Sequence, residues 1–241
     1  MTVFNPCQVA IVTGASRGFG KALTAALLDR GWAVVGDARR SSELESTAAE
    51  LNSERLIALP GDVTDASHRD SLVAAALNAG SLRLLVNNAS RLGPSPQPLL
   101  ADYPASELLS VYQTNLFAPL ALIQAALPAL TAGGGAVVNL TSDAAVEPYP
   151  GWGGYGSSKA ALDQLSAVLA TELSADPAVP VYAFDPGDMR TEMHQAAFPG
   201  EDISDRAEPE SVVPALLRLL DTRPPSGRYR AADLALSGAR P

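Results

Sequence analysis

The 241-residue chain has one cysteine, Cys7, and two histidines, His68 and His194, far apart in sequence. A single cysteine forms no intrachain disulfide and completes no cysteine metal site, and two separated histidines give no zinc-binding pattern. Basic residues are outnumbered, 17 against 26, for a formal charge of −9. With no Lys/Arg stripe, nucleic acid and anionic membrane are poor partners, and any anionic ligand must be held by a local cluster. No segment approaches the ~18 uninterrupted apolar residues of a membrane span. The first eight residues have neither a basic start nor a long apolar stretch, so a soluble, cytoplasmic protein is expected. Repeats, low-complexity tracts and linkers are also missing.

What is present is a 47% hydrophobic composition on a chain long enough to bury a large core. We expect one domain over residues 1–241. The apolar run 9–13 reads as a buried strand ending at Gly14, and a helix opens at Gly18 and Gly20 and stops at Gly31. Further strands are expected at 33–36, 56–59, 82–86, 136–140 and 179–184. Helices are expected at 42–51, 66–77, 116–130 and from Tyr155 to about 173. Strands alternating with helices at this spacing predict an α/β, Rossmann-like, doubly wound parallel sheet with helices on both faces. The proline-rich segment 92–103 reads as loop. So does the polar segment 188–209, which is a candidate substrate-binding loop because long loops in compact domains are commonly functional.

Three local patterns carry chemistry. Tyr155 and Lys159 are four apart and share one helix face. A free tyrosine has a pKa of about 10, and a close ammonium would lower it toward use as a proton donor and acceptor. The turn from Thr13 to Gly20 follows a strand and opens a helix, where glycines let backbone approach a diphosphate and free N–H groups meet its charge. Asn87-Asn88-Ala89 ends the fourth strand, where ligands of open α/β sheets gather.

The Gly-x3-Gly-x-Gly spacing, Asp62-Val63, Asn87-Asn88-Ala89, Asn115, Ser142, Tyr155 with Lys159, and Pro186-Gly187 with Thr191 occur in one order. In this the chain resembles the short-chain dehydrogenase/reductase family, single-domain type, over nearly its whole length. The resemblance implies a nicotinamide cofactor held by Gly14, Ser16, Arg17, Gly18, Phe19, Gly20, Asp62, Val63, Asn88, Ala89, Pro186, Gly187, Met189 and Thr191. It implies a catalytic set of Asn115, Ser142, Tyr155 and Lys159, with no metal. Asn115 would hold a relay water, Ser142 the substrate oxygen, and Lys159 the nicotinamide ribose beside Tyr155. Thr141 is the competing hydroxyl for Ser142. Asp62 and Thr191 could instead be helix or turn caps. Ser90 stands where the family usually has glycine, and local backbone adjustment is expected there.

Cofactor choice falls at the end of the second strand, Gly36-Asp37-Ala38-Arg39-Arg40. The family's discriminating acidic position aligns with Ala38, and Arg39 follows. With Arg17 this favours NADP, since arginine pairs with a 2′-phosphate. A one-residue shift would hand the role to Asp37 and favour NAD. The expected activity is NADP(H)-dependent reduction of a ketone or aldehyde. The alternatives are NAD-dependent alcohol oxidation and a non-catalytic dinucleotide sensor. Leu92, Ala144, Pro148, Tyr149, Trp152 and the segment 189–198 are candidate lining for a small carbonyl or alcohol substrate. His194 is a loop residue or substrate contact, and a homodimer or homotetramer is expected through the helices at 116–130 and 155–173.

Overall fold

The computed structural model describes residues 7–236. Seven parallel strands form one sheet in the order β3-β2-β1-β4-β5-β6-β7. They are β1 Gln8–Val12, β2 Ala33–Ala38, β3 Leu56–Pro60, β4 Ser81–Asn87, β5 Ala136–Leu140, β6 Val181–Asp185 and β7 Gly227–Arg230. The central strands are apolar along their length because both faces are covered. Val9, Ile11, Leu85 and Val137 serve one core layer, and Ala10, Val12, Val86 and Val138 the other.

The first layer is closed by α3 (Ala66–Ala79) and α5 (Ala118–Gly133), the second by α1 (Gly18–Asp29), α2 (Ser41–Leu51) and α8 (Pro209–Thr222). Strand order reverses between β1 and β4, which opens a crevice at the carboxyl ends of the strands. Thr13, Asn88, Ser142 and Asp185 all lie there, each at or just past a strand end.

The structure extends the expected elements in three places. The helix anticipated at 116–130 begins earlier. α4 (Ala105–Tyr112) runs through a π-helical turn, Gln113–Phe117, into α5. Its first half is mixed in polarity, so its periodicity is weak in sequence. The resulting helix, Ala105–Gly133, is long and apolar enough to cross a membrane by length and composition alone. Here its Leu122, Ile123, Ala126 and Leu130 are core residues. The segment 188–209 is not all loop: α7 (Glu192–Ala197) forms within it, and Met189 bridges Ala207. Beyond it, α8, β7 and α9 (Ala231–Leu236) were not anticipated. Residues 237–241 lie outside the described part.

Candidate active site

The turn after β1 is built for close approach. Gly14 and Gly18 have φ of +68° and +52°, a region that side chains with a Cβ disfavour. A Cβ on Gly20 would lie 2.2 Å from the Gly14 carbonyl oxygen, so α1 packs against the turn only with glycine there. The turn is tied to the end of β4. Thr13 Oγ1 accepts from the Asn88 and Ala89 N–H groups at 3.0 and 2.9 Å, and Asn88 Nδ2 donates to the Thr13 carbonyl at 2.8 Å. Ser16, Arg17, Gly18, Val63, Asn88, Ala89, Pro186, Met189 and Thr191 line one cleft of about 570 Å³, large enough for a nucleotide. The cradle and its free backbone donors fit a dinucleotide diphosphate.

Several of the expected cofactor contacts are refined by the geometry. The Phe19 side chain is buried in the core and stacks on Phe184 at 6.0 Å, leaving its backbone at the helix start for the cleft. The Thr191 hydroxyl caps α7, accepting from the His194 N–H at 3.2 Å, so the cap reading holds for that oxygen. Asp62 forms a turn with Thr64, from which one carboxylate oxygen accepts at 2.9 and 2.8 Å. Burial opposes its ionisation, yet Thr64, Arg39 and His68 hold it below the usual carboxylate range. Gly187 has φ +73° and donates its N–H to Asp185 Oδ1 at 3.0 Å, which shapes the loop after β6.

At the end of β2, Asp37 and Arg39 both border the cleft, but the Asp37 carboxylate is turned into the protein. The strand continues to Ala38, so Asp37 and Ala38 face opposite sides of the sheet. Asp37 is buried, with Oδ1 accepting from the Gly14 N–H at 2.8 Å and Oδ2 3.1 Å from His68 Nε2. Both oxygens thus serve the protein, and burial raises this carboxyl above its usual range. Arg39 lines the cleft, with no carboxylate within salt-bridge distance among the described residues. Arg17, by contrast, pairs with Glu192 and lies 3.9 Å from Glu43.

At the inner end of the cleft, α6 (Gly153–Glu172) carries Tyr155 and Lys159 on one face. Both are buried, and Lys159 Nζ lies 5.5 Å from the centre of the Tyr155 ring. The ammonium donates to the Leu140 carbonyl at 2.7 Å. The expectation that Lys159 lowers the phenol is corrected here. Burial pushes Tyr155 up to about 12, Asp185 and Asp143 add to the rise, and the opposing influence is hydrogen bonding by Ser90 and Ser142. Burial likewise pushes Lys159 down to about 8, against the pull of Asp163. Ser142 is held by its neighbour, donating from Oγ to Asp143 Oδ1 at 2.9 Å.

Asn115 sits in the π turn, a feature that recurs at functional sites. Its amide is fully engaged. Nδ2 donates to the Arg91 carbonyl at 2.9 Å and to Ser158 Oγ at 3.0 Å, and Oδ1 accepts from the Arg91 N–H at 2.8 Å. Ser90 Oγ also donates to Oδ1 at 3.2 Å. Ser90 is therefore the residue that sequence reading missed. Beyond replacing a glycine in the backbone, its hydroxyl connects Asn115 with the phenol.

The wall beside Tyr155 is apolar and aromatic. Leu92 and Ala144 pack with Tyr155, and Trp152, Met193 and Ala197 close around them. Trp152 meets Tyr155 at 5.9 Å and Phe198 at 5.7 Å. His194 packs against Phe198 with the rings tilted and their centres 4.9 Å apart, and has Nδ1 3.8 Å from Asp188, so it belongs to α7 and not to the tyrosine pair.

A buried phenol with adjacent hydroxyls, a lysine one turn on, and a glycine cradle in the same crevice define a dinucleotide-linked oxidoreductase site. The family model described as short chain dehydrogenase matches residues 8–202, and the chain belongs to that family. A serine 3-dehydrogenase from Agrobacterium fabrum is 36% identical over 184 residues, covering 76% of this chain and 72% of that one. A mouse sepiapterin reductase is 34% identical over 206 residues, covering 79% and 78%. Among solved structures, a short chain dehydrogenase from Shigella flexneri complexed with NADP superposes with TM-score 0.85 at 27% identity, covering 93% of this chain and 97% of that one. The Saccharomyces cerevisiae short chain dehydrogenase/reductase YIR035C gives TM-score 0.83 at 27% identity, covering 97% and 100%. The protein is thus an NAD(P)-dependent enzyme of the CH–OH/C=O class.

Proposed function

We propose that this enzyme reduces a ketone or aldehyde of apolar character with NADPH. The observation that carries the reading is the cleft itself. Tyr155 lies between the Ser90 and Ser142 hydroxyls at one end, and Arg39 lines the other end while Asp37 is turned under Gly14. A bound nicotinamide cofactor supplies the hydride. With its pKa at about 12, the phenol is fully protonated near neutrality and serves as a proton donor to the carbonyl oxygen. Ser142 donates to the same oxygen as negative charge develops on it. Lys159 holds the nicotinamide ribose and a positive charge beside the phenol, and Asn115 anchors the relay that returns a proton to it. The aromatic wall of Trp152 and Phe198 suits an apolar substrate body.

The test is NADPH consumption against aliphatic ketones, aryl ketones and aldehydes, with NADH in parallel. Saturable NADPH oxidation by at least one carbonyl compound supports the reading. Oxidation only of alcohols, with NAD alone, overturns it.

Cofactor choice makes a sharper expectation. A charge-assisted bond to the 2′-phosphate is worth about 1.5–3 kcal/mol, or roughly ten- to a hundredfold in affinity. Arg39→Ala should weaken NADPH by that factor and leave NADH unchanged, with a loss that shrinks in added salt. Arg17→Ala should act in the same sense and less strongly, because Arg17 must first leave Glu192 and Glu43. Dissociation constants from nicotinamide fluorescence check this. A wild type that already prefers NADH would return the role to Asp37.

We also propose a homodimer or homotetramer. Leu109, Phe117 and Val168 are about half exposed on α4, the π turn and α6, a spread of apolar surface that association would cover. Light scattering at micromolar protein should give a dimeric or tetrameric mass, and a monomeric mass would refute it.

A further inference from the structure

Arg228 lies on β7 at the edge of the sheet, outside every motif read from the sequence. Its side chain is 27% exposed, and its guanidinium reaches three separate elements. Nε donates to Asp163 Oδ2 at 3.0 Å. Nη2 donates to the Ser142 carbonyl at 3.0 Å and to Asp185 Oδ2 at 2.9 Å. Each partner adjoins part of the site. Ser142 presents its hydroxyl to the phenol, and Asp185 shapes the Pro186-Gly187 loop through the Gly187 N–H. Asp163 follows Lys159 by four residues on the same face of α6. The Asp163 and Asp185 side chains are only 16% and 5% exposed. Buried carboxylates need a counter-charge, and the planar fork of arginine can satisfy several acceptors in one place.

We propose that Arg228 is a positioning residue of the reaction. One guanidinium aligns the Ser142 backbone, the loop after β6 and the Lys159 helix, and offsets the two carboxylates behind the tyrosine–lysine pair. The inference rests on the reductase reading of the cleft.

Its electrostatic part has a definite sign. The charged groups acting on the pair are Asp163 on α6, Asp185 at the end of β6, Asp143 after β5, and Arg228 through its carboxylate partners. Asp163 already acts to raise Lys159, and Asp185 to raise Tyr155. Removing the Arg228 charge leaves both carboxylates less compensated, so Lys159 and Tyr155 both move upward.

The experiment measures NADPH affinity by nicotinamide fluorescence from pH ~6 to ~10, together with kcat on whichever carbonyl compound wild type reduces fastest. Lys159 holds the ribose most tightly as an ammonium, so wild-type affinity should fall as pH rises through about 8. Arg228→Gln keeps a donor near the Ser142 carbonyl and loses the charge. Its affinity midpoint should move up by about one unit, and its kcat should fall by roughly ten- to a hundredfold. Arg228→Lys restores charge without the fork, so it should keep the wild-type midpoint and still lose about tenfold in kcat.

A folded Arg228→Gln protein with wild-type midpoint and kcat overturns the proposal. So does a loss of kcat that tracks a lowered melting temperature while the midpoint stays put, the mark of a purely structural arginine. Where Arg228→Gln does not fold, Arg228→Lys decides, and a wild-type kcat there overturns it. A wild type that binds NADPH but reduces no carbonyl compound would sink the reductase reading instead. The affinity midpoints then judge Arg228 by themselves.

Discussion

Tyr155→Phe is expected to lower turnover by about a thousandfold or more and to leave NADPH affinity within about twofold. The substitution removes one oxygen and keeps the ring. That ring is 8% exposed, meets Trp152 at 5.9 Å and packs with Leu92 and Ala144, so shape and burial survive. The hydroxyls left behind retain partners, Ser90 on Asn115 and Ser142 on Asp143. Little stability is therefore at stake. What disappears is the proton donor, and general acid catalysis contributes about 10²- to 10⁴-fold. The variant has no phenol to titrate, so no pH near neutrality should rescue it. Steady-state rates with fluorescence titration of NADPH make the check, and retention of a tenth of wild-type kcat would sink the catalytic assignment.

Lys159→Met should injure rate and cofactor binding together. Methionine fills most of the space of the lysine stem, which limits the cavity that alanine would leave. The loss concentrates on the ammonium. At 2% exposure it donates to the Leu140 carbonyl, and a buried acceptor left without its donor costs about 1–3 kcal/mol. Removing the charge from the nicotinamide ribose should weaken NADPH by about tenfold, and removing it from beside the phenol should cost about a hundredfold in kcat. If kcat falls while NADPH affinity holds at pH 7, Lys159 does not reach the ribose. Thermal unfolding of the variant separates these effects from simple destabilisation.

Most of the sheet was legible because its signals are local. The runs at 9–13, 33–36, 56–59, 82–86, 136–140 and 179–184 all fall on or overlap observed strands. Each is a short apolar stretch bounded by glycine, proline or polar residues. The extra strand β7, Gly227–Arg230, escaped notice because it is short, lies at the edge and is only partly buried, so it has no apolar pattern to read. Similarly, α7 is one and a half turns held by the Thr191 cap, too brief for periodicity to register.

Resemblance to the family placed Ser142 and Asn115, while local pattern carried the alternation of strands and helices, the glycine turn and the shared helix face of Tyr155 and Lys159. These depend on spacing along the chain, and helix and strand periods convert spacing directly into a shared face or a strand end. Tertiary structure alone decided the rest. That the phenol is pushed up to about 12 depends on how completely the core and the aromatic wall exclude water. That Ser90 connects Asn115 to Tyr155, and that Arg228 gathers Ser142, Asp163 and Asp185, depends on contacts between elements far apart in sequence. Neither desolvation nor a long-range hydrogen bond leaves a local pattern. Both exist only once the strands are ordered and the helices have closed over them.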